Sequence, residues 1–220
     1  MTTVVVSRVL DHCEVLGPGA RAVIWVQGCP LRCRGCVAPE TLSFEGGTVR
    51  TVDDLADWLC SLSATEGVTF SGGEPFAQAE ALALLLDKVR AVRPDFSAMS
   101  YSGFTLAALM RGTAAKQALL ARLDLLVDGP YQAARHGDLR WRGSSNQRLI
   151  PLTDRYPDVL SRPDIGQGIE FTLDLDGGLS WAGVPGVRGF RERIAAGLAS
   201  RGYGLLAETE NRARTGKEES

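Results

Sequence analysis

Apolar and polar positions along this chain switch repeatedly between the strand period and the helix period. The run Ala22-Val23-Ile24-Trp25-Val26 is unbroken and rich in β-formers, which predicts a buried strand near residues 21–27. Residues 51–62 open on Thr-Val-Asp-Asp, a helix cap, and then place Leu55, Trp58, Leu59 and Leu62 at helical spacing. A short strand over 67–71 follows. Residues 78–92 then read as a helix with Ala81, Leu82, Leu85, Leu86 and Val89 as its inner stripe and Pro94 as its stop. The alternation continues through a strand at 96–101, a helical region at 106–121, and strands at 123–127 and 148–152. Residues 169–175 and 179–182, joined by Asp176-Gly177-Gly178, predict a β-hairpin, and 188–201 a last helix. From Glu208 onward the chain is charged and poor in apolar residues, so 208–220 is expected to fray while 1–207 folds. Strands and helices in alternation argue for a parallel α/β sheet or barrel.

Composition narrows the class. With 220 residues and 45% hydrophobic content the chain has ample core for one or two domains. No stretch approaches the roughly 18 apolar residues of a membrane span. A net charge of -2 gives no general case for nucleic-acid binding. The N-terminus lacks the long apolar core of a secretory signal, so a reducing cytoplasm is the expected setting and disulfides are disfavoured.

Candidate chemistry starts at Cys29-Pro-Leu-Arg-Cys33-Arg-Gly-Cys36, where three cysteines stand at CxxxCxxC spacing directly after the first predicted strand. Three thiolates hold three irons of a [4Fe-4S] cubane and leave the fourth iron open to a ligand that can react. Zinc is the alternative, with His12 or Cys13 closing a tetrahedron, although the chain has no second CxxC or HxxxH to pair with the first. Cys13 and Cys60 read as small buried hydrophobes outside the motif. Cys29–Cys36, Gly72-Gly73-Glu74-Pro75, Ser100–Gly103 and Asp128-Gly129-Pro130 each follow a predicted strand. In parallel α/β architectures such loops gather at one face, where sites are built.

The cysteine motif and the Gly-Gly-Glu-Pro together resemble the radical S-adenosylmethionine enzymes. More blocks resemble one branch, the anaerobic ribonucleotide reductase activating proteins. These are Gly17-Pro-Gly19, Trp25 to Cys33, Pro39-Glu-Thr41, Ser71 to Phe76, Tyr101-Ser-Gly103, Leu126 to Pro130 and Arg140 to Gln147. The resemblance implies a partial, open barrel of the (β/α)6 type with about six parallel strands, ending in a β-hairpin and a helix. It implies one [4Fe-4S] cluster on Cys29, Cys33 and Cys36, and S-adenosylmethionine chelated to the open iron. An electron from a flavodoxin or ferredoxin would break the cofactor to methionine and a 5′-deoxyadenosyl radical. That radical would take a hydrogen atom from a glycine of a large glycyl-radical enzyme.

By the same resemblance, Gly72, Gly73, Glu74 and Pro75 match the segment that contacts the methionine amino group, with glycines where a Cβ would collide with the cofactor. Glu74 is then an acceptor for the cofactor ammonium or, more simply, a cap for the following helix. Asp128 falls where related activating enzymes carry a carboxylate near the cofactor, or else is a turn former. Ser100 and Ser102 are candidate ribose contacts. Arg142 and Asn146 are the leading candidates in the donor-rich run 142–148, for a cofactor or a partner-glycine loop. Gly35 and Val37 stand where aromatic residues are common, so adenine packing has to come from elsewhere. No cysteine follows Cys60, so a single cluster is expected. Two further readings stay open: a radical enzyme acting directly on a small molecule or short peptide, and a non-enzymatic iron-sulfur or zinc protein.

Overall fold

Strand β2 (Arg21–Val26) is buried at every position. A strand without a polar face needs a neighbour on each edge and a layer on each side. In the computed structural model, which describes residues 1–173 and 179–201, it has both. On one edge it pairs antiparallel with β1 (Thr3–Cys13), which in turn pairs antiparallel with β3 (Thr48–Thr51). On the other edge a parallel run follows: β4 (Gly67–Gly72), β5 (Ser97–Ser102) and β6 (Leu125–Asp128). The seven-stranded sheet has the order β3-β1-β2-β4-β5-β6-β9, where β9 (Arg148–Pro151) is antiparallel to β6.

Four strands are therefore mutually parallel in one contiguous block, not about six. The physical reason lies in the connections. Residues 14–20 turn β1 straight back onto β2, and 129–147 return the chain beside β6, neither with the crossover helix that parallel pairing requires. Strands β1 and β3 are absent from the sequence reading, although the β-branched run Val4-Val5-Val6 carries the signal for β1.

The helices cover one face. Helix α1 (Val52–Ser61) starts at Thr51, whose hydroxyl accepts from Asp54 N while the Asp54 carboxylate accepts from Thr51 N, so the Thr-Val-Asp-Asp cap is a capping box. Helix α2 (Ala79–Val92) buries the expected stripe of Ala81, Leu82, Leu85, Leu86 and Val89. The single helical region read at 106–121 is two short helices, α3 (Leu106–Met110) and α4 (Ala114–Leu120). Gly112 breaks the ladder and Thr113 caps the second piece through Lys116 N. The stripes pack on Ile24, Phe70, Ala98 and Leu126 of the sheet.

The other face is covered by the end of β1 and the turn after it together with segments that follow β6. Val23 and Trp25 pack with Cys13, Leu16 and Ala182, and Met99, Leu125 and Val127 with Trp141 and Val159. The two-stranded ladder β7 (His136–Leu139) with β8 (Arg142–Ser144) lies within this cover. The hairpin forms as read, with β10 (Ile169–Leu173) and β11 (Leu179–Gly183) in antiparallel register, and α5 (Phe190–Ala199) follows. Its turn at 176–178 and the tail 208–220 lie outside the described residues. Among the described residues no helix is long and apolar enough to cross a membrane.

Burial pushes the Cys13 thiol up from 9.0 to about 12. A folded-state value raised in this way means that the thiol's contribution to stability is complete below pH 9.0 and lost as pH climbs toward about 12. Stability should fall more steeply over that alkaline window for the wild type than for Cys13→Ala, as followed by urea unfolding at stepped pH. The substitution itself should cost about 1 kcal/mol at neutral pH. Parallel alkaline slopes would disprove the assignment.

Candidate active site at the C-terminal ends of the parallel strands

Parallel register places Val26 beside Gly72 and Ser102 beside Asp128, so the segments after β2, β4, β5 and β6 leave the sheet at one end. Each is then fastened to the next. Glu74 N donates to Gly28 O at 2.9 Å, and Gly73 N to Val26 O at 2.8 Å. Leu31 of the cysteine loop packs on Gly103, where a Cβ would lie 2.2 Å from its Cδ1. Gly129 N donates to Phe104 O at 3.2 Å, and Gln147 Nε2 to Gly129 O at 3.2 Å. Tyr131 and Ala133 lie against Gly35, at 3.6 and 3.7 Å from where its Cβ would stand, which closes the circuit back to the cysteine loop.

The cysteine loop itself is pinned by Gln27, whose Nε2 donates to the carbonyls of Glu40 at 3.1 Å and Ser43 at 2.8 Å. Cys29 is buried, while Cys33 and Cys36 are half-buried. Burial pushes the Cys33 thiol up, and the Tyr131 N–H partly offsets it; burial likewise raises Cys36 against the Ala38 N–H. Backbone donors aimed at sulfur favour thiolate, the form in which cysteine ligates metal.

His12 and Cys13 cannot complete a zinc tetrahedron here. Cys13 pairs with Arg21 at the far end of β2, roughly 16 Å along the strand from Val26 at 3.3 Å per residue. Cys60 sits on α1, packed against the helical core. Among the described residues no group of three or more His, Cys, Asp or Glu converges closely enough to hold a metal ion on its own. Three thiols on one loop, with no fourth soft donor in reach, match the donor set of a cluster with one open iron.

The two glycines of the Gly-Gly-Glu-Pro are required by the protein's own backbone. Gly72 has a φ of 89°, and a Cβ there would lie 2.7 Å from Val26 O; a Cβ on Gly73 would lie 2.3 Å from Gly28 O. Contact between this turn and the start of the cysteine loop is by itself enough to exclude a side chain at both positions.

Glu74 is 1% exposed, and its carboxylate is already engaged. Oε1 accepts from Phe76 N at 3.0 Å and from the Ser102 hydroxyl at 2.9 Å, and Oε2 from Gly103 N at 2.8 Å. Burial pushes its carboxyl above the usual range, and these three donors pull it back. The capping alternative is thus realised, on the short 3₁₀ turn that begins at Pro75. Asp128, also 1% exposed, accepts from Leu106 N at 2.6 Å and is held by the fork of Arg148, with Nε to Oδ1 at 2.9 Å. Ser100 is fully buried and its hydroxyl donates to Tyr101 O, so it offers no open face to a ligand.

Arg142 ion-pairs with Asp164 and donates from Nη1 to Gln147 O at 3.1 Å, while its Nε is buried and unpartnered. Asn146 donates to Pro130 O at 2.7 Å and leaves Oδ1 buried and unpartnered. Sequence reasoning missed three residues that organise this end. Gln27 and Gln147 are ordinary polar residues whose roles need long-range partners. Tyr131 places its ring 3.6 Å from where a Gly35 Cβ would lie, and its hydroxyl meets His136 Nδ1 at 3.1 Å. The signal for Tyr131 was the aromatic directly after Asp-Gly-Pro, opposite a loop that lacks one.

The model of the 4Fe-4S single cluster domain family matches residues 15–150, which hold all of these segments. The chain is similar to the anaerobic ribonucleoside-triphosphate reductase-activating protein of Vibrio cholerae, 36% identical over 146 residues, 63% of this chain and 92% of that protein. The protein of the same name from Enterobacteria phage T4 is 33% identical over 145 residues, 64% of this chain and 89% of that one. Among solved structures, QueE from Escherichia coli overlaps 48% of this chain and 55% of its own, with a TM-score of 0.38 and 17% identity, too slight an overlap to inform the fold. The cysteine loop, the matched domain and the relatives agree: the chain belongs to the 4Fe-4S single cluster domain family, in the branch of the anaerobic ribonucleoside-triphosphate reductase-activating proteins.

Proposed function

We propose that this chain installs a radical on a glycine of a large partner enzyme, an anaerobic ribonucleotide reductase or a close equivalent. The observation that carries the reading is the fastening of the cysteine loop, Gly72–Pro75, Ser102–Gly103, Asp128–Pro130 and 142–147 into one circuit at one end of the sheet. Held by Cys29, Cys33 and Cys36, a reduced [4Fe-4S] cluster would supply the electron for reductive cleavage of S-adenosylmethionine, chemistry that would furnish a radical able to take a hydrogen atom from glycine.

The chain's own residues position and shield. Cys29, Cys33 and Cys36 would hold three irons. Gly72, Gly73 and Pro75 set a turn fastened to the cysteine loop, where they would hold the methionine end of the cofactor. Glu74 and Ser102 fix that turn to the loop after β5, and Asp128 with Arg148 fixes the loop after β6. Arg142 and Asn146 would offer two unpartnered buried polar atoms, Nε and Oδ1, to the cofactor or the incoming glycine loop. The sheet is read as the wall of a partial barrel whose open lateral side admits a protein loop, and the chain is read as cytoplasmic.

The test is an anaerobic incubation of the reconstituted, dithionite-reduced protein with S-adenosylmethionine, with and without the host's candidate reductase. Expected are 5′-deoxyadenosine in both arms and a glycyl-type electron paramagnetic resonance doublet on the reductase. 5′-Deoxyadenosine with no doublet, together with turnover of a small substrate, would reject the activase reading in favour of a small-molecule enzyme.

A further inference from the structure

Four arginines surround the cysteine loop without a carboxylate partner among the described residues. Arg32 and Arg34 lie within the loop and are exposed. Arg135 ends the short 3₁₀ turn Ala133–Arg135, whose Ala133 lies 3.7 Å from where a Gly35 Cβ would stand. Arg188 is exposed and stands three residues before Arg191 on the segment that follows the hairpin. Arg191 anchors this last segment to the loop by pairing with Glu40 at 2.8 Å.

The imbalance is local. Segments 28–47, 129–137 and 184–193 together hold Arg32, Arg34, Arg135, Arg188, Arg191 and Arg193 against Glu40, Glu45 and Glu192, with no Asp or Lys. The whole chain, by contrast, carries a net charge of -2. A concentrated positive rim on a slightly acidic protein attracts and orients an acidic partner without attracting polyanions in general. Arg32 and Arg34 flank Cys33, and Arg34 stands two residues from Cys36; both cysteines are half-buried, whereas Cys29 is buried. An electron carrier seated there would be as near to the cluster as the protein allows, and electron transfer slows steeply with distance.

We propose that Arg32, Arg34, Arg135 and Arg188 form the docking surface for an acidic one-electron carrier protein, which reduces the cluster from the Cys33 and Cys36 side. The carrier loses one electron and the cluster gains one; no bond is made or broken in this step. The proposal rests on the radical S-adenosylmethionine reading of the site and names the surface through which that site is charged.

The test measures bleaching of the cluster's visible absorption on rapid mixing with a fully reduced, acidic flavodoxin, and separately with dithionite. The double variant Arg135→Glu plus Arg188→Glu alters two exposed side chains outside the cysteine loop. Its reduction by the flavodoxin should slow by about tenfold or more at low ionic strength, with dithionite reduction unchanged. The wild-type rate should also fall as salt is raised from about 0.01 M to about 0.15 M, where the screening length drops from about 30 Å to about 8 Å. Arg155→Glu, exposed at the opposite end of the sheet beside Tyr156, controls for net charge and should leave the rate near wild type.

The proposal is overturned if the double variant stays within twofold of wild type, or if Arg155→Glu slows reduction equally. It is also overturned if only activation of the partner reductase by dithionite-reduced protein is impaired, which would assign the rim to that partner. Because bleaching needs no S-adenosylmethionine, a chain whose cluster bleaches normally but cleaves no cofactor would count against the site reading alone.

Discussion

The Cys33→Ala chain should retain no intact four-iron cluster and form no 5′-deoxyadenosine above the level of iron-free protein, while Cys13→Ala should keep both. Removing the central sulfur leaves Cys29 and Cys36, and two thiolates cannot hold a cubane by three corners. No other cysteine can replace it. Cys13 is at the far end of β2, and Cys60 is packed on the helical side of the sheet. Iron and sulfide analysis with quantitation of 5′-deoxyadenosine reads both outcomes. A Cys33→Ala protein with full iron content and undiminished cleavage would remove the basis for a three-cysteine site.

Gly73→Ala should give a large loss of stability and of iron uptake while leaving all the cysteines in place. Its Cβ would fall 2.3 Å from Gly28 O and 2.8 Å from Gly28 C. The obstructing atoms are backbone, so no rotamer relieves the overlap. Either the turn after β4 or the start of the cysteine loop must move. Both hydrogen bonds that join them, Gly73 N to Val26 O and Glu74 N to Gly28 O, are then stretched. An overpacking cost of about 2–3 kcal/mol is expected. For a chain of this size that corresponds to a Tm lower by roughly 5–10 °C. Iron uptake should fall as well, because the displaced element carries Cys29. Gly137→Ala is the control, since its Cβ would meet only the Leu139 side chain at ordinary contact distance, 3.5 Å. A Gly73→Ala protein with wild-type Tm and iron content would show that the two segments are not locked together.

The two glycines also show how a motif can be legible while its reason is not. Glycine at positions 72 and 73 is plain in the sequence, but one sequence cannot say which atoms crowd it. Glu74 and Asp128 are similar cases. Each is an acidic residue after a predicted strand, and each turns out to be enclosed by donors of its own chain, Gly103 and Ser102 for one and Arg148 and Leu106 for the other. Ser100 and Ser102 differ by two residues in sequence, yet only Ser102 reaches another segment of the site.

What the sequence by itself determined were the features written in local order. The period of the apolar residues located β2, β4, β5, β6, β9, the hairpin and the long helices. Thr51 with Asp54 marked a helix start, and the spacing of Cys29, Cys33 and Cys36 marked the cluster loop. These are short-range properties, because propensity, capping and ligand spacing all act within a few residues. Only the tertiary structure decided strand direction at the sheet's two flanks, the break between α3 and α4, and the joining of five loops into one circuit. It also gathered Arg32, Arg34, Arg135 and Arg188 around the cysteines on a chain with no net positive charge. Those outcomes depend on pairings between residues far apart in sequence, such as Tyr131 with Gly35 and Arg191 with Glu40. Their energies exist only once folding has brought the distant partners within a few ångströms.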